Sequence, residues 1–206
     1  TLKAFVATLG YSRATFVKFY DHERSDAWID GLESAFQFFG GVPKDVLFDN
    51  AKAIIIERDA YQDGQHRWNA KLLDCAKKYN FRPRVCKPYR AQTKGKVERF
   101  NSYLKSSFIV PLKASLKVVD LSLDVDMANA YIGRWLSETA NQRIHATTKE
   151  KPSTRLLEEQ QYFSSLPLFN DGSKKSVIDD VSPSSLIPHE SVQHPLSIYD
   201  ELLEVS

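Results

Sequence analysis

Apolar residues in the first part of this 206-residue chain are spaced in a way that predicts a hairpin followed by a helix. Residues 2–9 and 14–20 are short runs rich in β-branched and aromatic residues, and the turn Gly10-Tyr11-Ser12-Arg13 between them predicts an antiparallel pair. Between residues 26 and 39 the apolar residues recur three and four positions apart, which predicts an amphipathic helix. Gly40-Gly41 is expected to end that helix.

Further along the chain, strand and helix periods alternate. The short apolar run Val46-Leu47-Phe48 predicts a buried strand that ends at Asp49. A helix around residues 68–79, a strand near 84–87 and a helix that contains Glu98 are expected next. After Pro111 we expect a loop and then a helix from about residue 123 to 139. A hairpin followed by alternating helices and strands indicates a mixed α/β fold.

Composition narrows the class of protein. The chain is 42% hydrophobic and 12% aromatic, which is enough for one substantial core. No apolar run approaches the roughly 18 residues that a membrane-spanning helix needs, so no membrane association is expected. The two cysteines, Cys75 and Cys86, fit a reducing cytoplasm better than a disulfide scaffold or a zinc site. The sequence lacks a glycine-rich phosphate loop and a serine nucleophile motif, which argues against an ATPase or a serine hydrolase.

The small net charge of +2 conceals an uneven distribution of charge. Residues 170–206 contain seven acidic residues and two lysines, a net charge of −5, so residues 1–169 carry +7. The acidic part begins with a Ser/Pro-rich stretch, residues 173–195, which predicts a linker or disorder. Residues 196–203 could form a short amphipathic helix that either docks on a partner or frays, and both interpretations stay open.

Positive charge is concentrated just before and within the predicted Glu98 helix. Eight basic residues lie between Arg82 and Lys105, and Glu98 is the single acid among them. This segment favours contact with a polyanion over a merely solvated basic surface. At helical spacing, apolar residues form one stripe, and Glu98 shares a neighbouring face with two lysines and an asparagine. The stripe is Val97, Phe100, Leu104 and Phe108, and the face is Lys94, Glu98, Asn101 and Lys105. Glu98 is then either a metal ligand beside bound phosphates or part of an ion-pair lattice.

Asp49 is the second acid of interest. Ligands of open α/β sheets bind at the carboxyl ends of strands, which is where the predicted strand places Asp49. The alternative is that Asp49-Asn50 simply begins a turn.

Four segments, in this order, resemble the DDE integrase core of insertion-sequence transposases of the IstA type, within the retroviral-integrase-like superfamily. The segments are Ala4–Arg13, Val46–Asn50, Lys87–Arg99, and Trp135 followed by Asn141–Thr148 and Pro152. The resemblance covers residues 1 to about 168. It implies an RNase H-like mixed sheet flanked by helices, followed by a helical extension and a flexible acidic tail. We therefore expect a core over residues 1–112, the extension over 113–169 and the tail over 170–206.

The resemblance also implies roles for single residues. Asp49 and Glu98 correspond to the second and third acids of the catalytic triad, and would serve as both catalytic and metal-binding residues. The family's first aspartate lies on a strand upstream of the one that opens this chain, and no residue here matches it. Asp21 qualifies by type only. The first strand is therefore expected to be missing, and the chain to be the carboxyl-terminal portion of a longer transposase.

Cleavage of a phosphodiester bond explains why the site would need carboxylates as metal ligands. Two divalent cations can activate an oxygen nucleophile and stabilise the leaving group, and Mg²⁺ (or Mn²⁺) prefers carboxylate and phosphate oxygens. Five basic residues around Glu98 are expected to contact DNA phosphates: Lys87, Arg90, Lys94, Lys96 and Lys105. The resemblance further implies a homo-oligomer that bridges two element ends, and an AAA+ helper ATPase as a partner.

Two functions from different classes stay open. The chain is part of an enzyme that carries out metal-dependent DNA cleavage and strand transfer, inactive by itself because the first aspartate is absent. Alternatively, it is a DNA-binding and assembly fragment without catalytic competence. A stand-alone nuclease that cuts DNA without joining it is a third possibility.

Overall fold

A computed structural model describes residues 2–49, 53–62, 65–86 and 99–167 of the chain. The chain divides into two units, Thr1–Leu168 and Phe169–Ser206, and every described residue belongs to the first. The predicted acidic tail therefore lies outside the described residues. In the part of the chain that is described, no helix is long and apolar enough to cross a membrane.

The predicted amino-terminal hairpin is confirmed. Strand β1 (Lys3–Thr8) pairs antiparallel with β2 (Thr15–Tyr20), with Lys3 opposite Tyr20 and Thr8 opposite Thr15. The Leu9 N–H donates to the Ala14 carbonyl oxygen at 2.9 Å and closes the hairpin at its turn.

Helix α1 (Ser25–Phe39) follows, as the apolar spacing predicts. It ends at Gly40, whose left-handed backbone (φ 75°) suits a glycine at a helix C-cap. The Phe5 ring of β1 packs edge-on against Trp28 of α1, with ring centroids 5.6 Å apart. Gly31 lies against the same ring, so close that a Cβ atom there would be 2.6 Å from a Phe5 ring carbon. The helix therefore covers one face of the hairpin.

The next elements form two further strand pairs and one helix. Strand β3 (Asp45–Phe48) pairs in parallel with β6 (Arg82–Val85), and β4 (Ile55–Gln62) pairs antiparallel with β5 (Gln65–Trp68). Helix α2 (Ala70–Tyr79) lies between β5 and β6 in sequence. The β4–β5 pair was not predicted, because its polar sequence lacks an apolar alternation.

The expectation that β3 is a buried strand is wrong for one of its faces. Phe48 is 3% exposed, whereas Leu47 is 58% exposed and Asp45 is also exposed. Alternate residues of β3 and β6 face solvent, because no described element covers that side.

Residues 99–167 are mostly helical. Residues 99–104 are helical and run without a break into the elements that follow. The elements from there on are the π-helical turn Lys105–Ile109, α3 (Val110–Val118), α4 (Val125–Trp135), the π-helical turn Leu136–Ala140, α5 (Pro152–Glu159) and the 3₁₀ turn Gln160–Tyr162.

The loop expected after Pro111 is wrong, because Pro111 lies in the first turn of α3. A proline is tolerated there, since the π-helical turn before it already interrupts the regular α-helical hydrogen bonding that a proline cannot join. The domain boundary predicted at residue 112 falls inside this helix.

The hairpin lies between two packed layers. One side of β2 presents Val17 and Phe19 to Leu104, Phe108 and α4, and these residues share one hydrophobic cluster. A second cluster joins α1 and α2 around Phe48 of β3. The core is thus built on both faces of a mixed α/β arrangement, and β3 is anchored to it through Phe48.

Candidate active site and nucleic-acid interface

Asp49 lies directly after β3 and its side chain is exposed. The parallel pairing continues to this point, because the Cys86 N–H donates to the Phe48 carbonyl oxygen at 2.9 Å. The Phe48 ring is fixed between Trp28 and Trp68, with centroid distances of 6.5 and 6.0 Å. The chain therefore holds the Asp49 backbone at the carboxyl end of a strand, where the sequence predicts it.

Asp45, at the amino end of the same strand, has a different environment. Its Oδ1 atom lies 3.0 Å from Arg82 Nε and 3.1 Å from Arg84 Nε. Hydrogen bonds from Arg82 and then Arg84 lower the pKa of Asp45 below its ordinary value. Two of the eight basic residues counted in the sequence, Arg82 and Arg84, are therefore paired with a carboxylate.

Most of the other predicted site residues lie outside the described residues. These are Glu98, Lys87, Arg90, Lys94 and Lys96. The structure thus neither brings Asp49 and Glu98 together nor separates them. Within the described ranges, no group of three or more His, Cys, Asp or Glu residues could hold a metal ion.

The predicted amphipathic character of the Glu98 helix is confirmed for residues 100–108. Leu104 and Phe108 are buried, Phe100 is half-buried, and the Phe108 ring stacks on Phe19 at 6.0 Å. Asn101 and Lys105 are exposed on the other side. Lys105 therefore has the exposure that a DNA contact needs.

Asn141 has a structural role that its sequence position does not reveal. It is 6% exposed; its Oδ1 accepts from the Thr15 N–H at 2.9 Å, and its Nδ2 donates to the Thr15 carbonyl oxygen at 3.0 Å. Asn129 of α4 does the same for Phe19, at 2.8 and 2.9 Å. The two amides satisfy the edge of β2 that does not face β1, and so fix the helical extension to the hairpin.

The turn between β1 and β2 is likewise bound to α5. The Glu159 carboxylate accepts from the Tyr11 and Ser12 N–H groups at 3.2 and 2.8 Å. The Arg155 guanidinium lies 3.9 Å from the centre of the Tyr11 ring and pairs with Glu150 at 2.8 Å. This turn therefore has a packing role.

Arg143 and His145 occupy different environments. The Arg143 guanidinium lies over the Tyr103 ring, 4.0 Å from its centre. His145 belongs to a tight turn, in which its N–H donates to the Glu150 carbonyl oxygen at 2.9 Å and its own carbonyl oxygen accepts from the Lys149 N–H at 2.8 Å. Of these two residues, only Arg143 places its charge against the helix that contains Tyr103 and Lys105.

Comparisons with a family model and with known proteins point to the same family. Residues 1–91 match the family model for the integrase core domain. A putative transposase for insertion sequence element IS5376 from Geobacillus stearothermophilus is 40% identical over 158 residues, which cover 77% of this chain and 37% of the relative. The transposase for insertion sequence element IS21 from Pseudomonas aeruginosa is 35% identical over 162 residues, 79% of this chain and 39% of that protein. The chain thus spans about two fifths of the length of these relatives.

A solved structure supports the fold. The catalytic core domain of BIV integrase is similar with a TM-score of 0.50 at 15% identity, over 77% of this chain and 87% of that one. The predicted RNase H-like mixed α/β class is therefore confirmed. The family model, the insertion-sequence relatives and this fold agree with the motifs read from the sequence, and the chain belongs to the IstA-type insertion-sequence transposases as a DDE integrase catalytic core.

Proposed function

We propose that this chain is the core of a DNA transposase, which cleaves and joins phosphodiester bonds in a metal-dependent reaction when a mobile element inserts. The observation that carries the proposal is the position of Asp49, exposed at the carboxyl end of β3 in a chain of this family. DNA is the substrate in this proposal, both as element ends and as target.

The chemistry of the donor set fits a divalent cation. Integrase cores of this kind generally use divalent metal ions, and an exposed aspartate is a hard oxygen donor of the type that Mg²⁺ or Mn²⁺ binds. Asp45 lies at the amino end of β3 and pairs with two arginines, whereas Asp49 follows the carboxyl end of the strand, where ligands of this class of fold bind. Glu98 is proposed as the second ligand, from its place in the sequence motif. When bound, the metal ions would activate the attacking oxygen and stabilise the leaving oxygen.

The chain's own residues hold this site in place. Phe48 is buried against two tryptophans, and β6 pairs with β3 up to the residue before Asp49. A ligand carried on such a rigid backbone needs little reorganisation to reach a productive geometry. Lys105 is proposed to bind DNA phosphate, together with Lys87, Arg90, Lys94 and Lys96.

Further parts of the proposal rest on family resemblance. They are assembly into a homo-oligomer that bridges two element ends, action with an AAA+ helper ATPase, and a place of action in the cytoplasm.

The test uses a chimaera, because the chain spans only part of its relatives. The matching segment of the Geobacillus stearothermophilus transposase is replaced by this chain, and cleavage and joining of element-end DNA are measured with and without Mg²⁺. We expect joining that requires Mg²⁺, and its loss by on the order of 100-fold or more in Asp49→Ala or Glu98→Ala, about 3 kcal/mol of transition-state stabilisation. DNA retention should persist in both variants.

The controls separate catalysis from folding. Asp45→Asn alters an exposed acid at the other end of β3 from Asp49 and should leave joining intact, and the parent transposase verifies the assay. Unimpaired joining by Glu98→Ala would show that the motif is wrongly assigned. A folded chimaera that binds DNA but never joins it would favour the assembly-module alternative.

Lys105 provides a separate test of DNA binding. Because each phosphate contact releases counterions, Lys105→Ala should weaken binding to duplex DNA and lower the slope of log affinity against log salt by about one. Lys113→Ala, at an exposed position on α3, is the matched control and should change neither quantity. Equal effects of the two substitutions on fluorescence anisotropy titrations would count against a specific role for Lys105.

A further inference from the structure

We propose that Arg143, which the sequence motifs left without a role, is a DNA-phosphate contact held in position by the Tyr103 ring. This inference rests on the proposed function, because it takes DNA as the ligand. It adds to the interface a residue from the segment that follows α4, far along the chain from Lys105.

The stack gives Arg143 a fixed direction. Its guanidinium carbon lies 4.0 Å from the centre of the Tyr103 ring. The ring itself contacts Trp135 at 5.4 Å and Phe100 at 6.4 Å between centroids. The Trp135 indole N–H in turn donates to Ser107 Oγ at 3.2 Å. Arg143 therefore rests on an aromatic platform that the core holds in place.

The backbone of Arg143 is fixed as well. It lies two residues after Asn141, whose amide is bonded to both backbone groups of Thr15. The Arg143 N–H donates to the Thr139 carbonyl oxygen at 3.2 Å, and the Ser153 N–H donates to the Asn141 carbonyl oxygen at 3.0 Å. Little conformational entropy remains to be lost when the side chain binds a ligand.

Among the described residues, the charge of Arg143 contacts an aromatic ring but no carboxylate. Its side chain is exposed, and among the described residues no carboxylate forms an ion pair with it. By contrast, Arg134 pairs with Glu138 at 2.9 Å and Arg155 pairs with Glu150 at 2.8 Å. A guanidinium stacked by its face still presents the N–H groups of its edge, and that planar fork matches two phosphate oxygens.

The position of the stack suits a nucleic-acid backbone. Arg99 and Tyr103 are four residues apart and so share one face of the helix, and Arg143 lies over the Tyr103 ring on that face. Asn101 and Lys105 lie on the other flank of the same helix, about 200° away from the Arg99 and Tyr103 positions. Positive charge thus borders the helix on two flanks, one of which depends on Arg143.

The test measures how DNA affinity depends on salt, using the full 206-residue chain and a mixed-sequence duplex. Arg143→Ala should lower the slope of log affinity against log salt by about one, which corresponds to about tenfold weaker binding at 0.1 M salt. Arg143→Gln, which keeps apolar contact with the ring but removes the charge, should have the same effect. Arg143→Lys should keep the slope while binding more weakly than the unsubstituted chain, because it loses the planar stack.

Arg134→Ala is the matched control, since it removes an exposed arginine that is already paired, and it should leave the slope unchanged. An unchanged slope in both Arg143→Ala and Arg143→Gln, with normal binding by the unsubstituted chain, would overturn this inference and leave the proposed function standing. An equal loss of slope in Arg134→Ala would also overturn it, because the effect would then be one of net charge alone. Absence of salt-dependent DNA binding by the unsubstituted chain would overturn both the inference and the DNA interface in the proposed function.

Discussion

Two aspartates at opposite ends of β3, Asp45 within the strand and Asp49 directly after it, show how position distinguishes residues of one type. Asp45 and Asp49 are both exposed and lie four residues apart. Asp45 lies opposite Arg82 across the β3–β6 pair and binds two guanidinium groups, so its charge stabilises the pairing of the strands. Asp49 lies at the carboxyl end, where this class of fold places ligands. Residue type alone would not have distinguished them.

Asp45 makes a prediction about pH. Its pKa is lowered in the folded chain, first by Arg82 and then by Arg84. A carboxyl with a lowered folded-state pKa contributes stability above its unfolded pKa, about 3.9, and loses that contribution as the pH falls through the folded value. Asp45→Asn should therefore lower the thermal midpoint at neutral pH, and the difference from the unsubstituted chain should close below about pH 4. A difference that stays constant from pH 7 to pH 3 would contradict this role.

The buried amide of Asn141 makes a prediction about stability. Asn141→Ala would leave the N–H and the carbonyl oxygen of Thr15 without the partners they have now. We expect the free energy of unfolding to fall by about 2–4 kcal/mol, measured by urea denaturation. Asn101→Ala, at an exposed helical position, is the control and should change it little. Equal small effects would mean that water satisfies the β2 edge.

At the scale of elements, the contact between α1 and β1 depends on one glycine. A Cβ atom at Gly31 would lie 2.6–2.8 Å from three carbons of the Phe5 ring, and Phe5 itself packs against Trp28 and Phe16. The ring has little room to move. This close approach sets the distance between the helix and the hairpin.

A pair of glycine substitutions tests that contact. Gly31→Ala should lower the free energy of unfolding by about 1–3 kcal/mol, because the helix must move away from the ring. Gly133→Ala, inside α4 with no atom within 4 Å of its new Cβ, should raise it by about 0.5–1 kcal/mol. Chemical denaturation of both variants checks the signs, and a stabilised Gly31→Ala would show that the interface is looser than described.

The elements that the sequence predicted have strong periodicity, and those that it missed do not. The hairpin and α1 follow from alternation and from helical spacing. The β4–β5 pair has a polar sequence, and the π-helical turn before Pro111 depends on packing that periodicity does not report. The position of Asp49 was predicted because a strand end is visible in sequence. The role of Asn141 was not, because its partner Thr15 lies 126 residues away.

At the scale of the whole molecule, the proposed DNA contacts Lys105 and Arg143 lie on the helical layer, and the proposed metal ligand Asp49 lies at the end of strand β3. The hairpin connects the helical layer to β3. On one face, Val17 and Phe19 pack against Leu104 and Phe108 of the helical layer, and on the other face lies α1, which packs around Phe48 of β3. We expect a DNA duplex bound along the helical layer to reach the end of β3 only if the side-chain amides of Asn129 and Asn141 keep that layer fixed on β2. Breaking those hydrogen bonds in the chimaera is therefore expected to reduce joining by more than it reduces DNA binding.

The most direct measurement of the central claim is a metal-rescue assay at Asp49 in the chimaeric transposase. A thiolate is a softer ligand than a carboxylate and binds Mg²⁺ poorly but Mn²⁺ better. Asp49→Cys should therefore fail to join DNA in Mg²⁺ and regain joining in Mn²⁺, whereas Asp45→Cys should join in both. Full joining by Asp49→Cys in Mg²⁺ would contradict the assignment of Asp49 as a metal-binding catalytic residue.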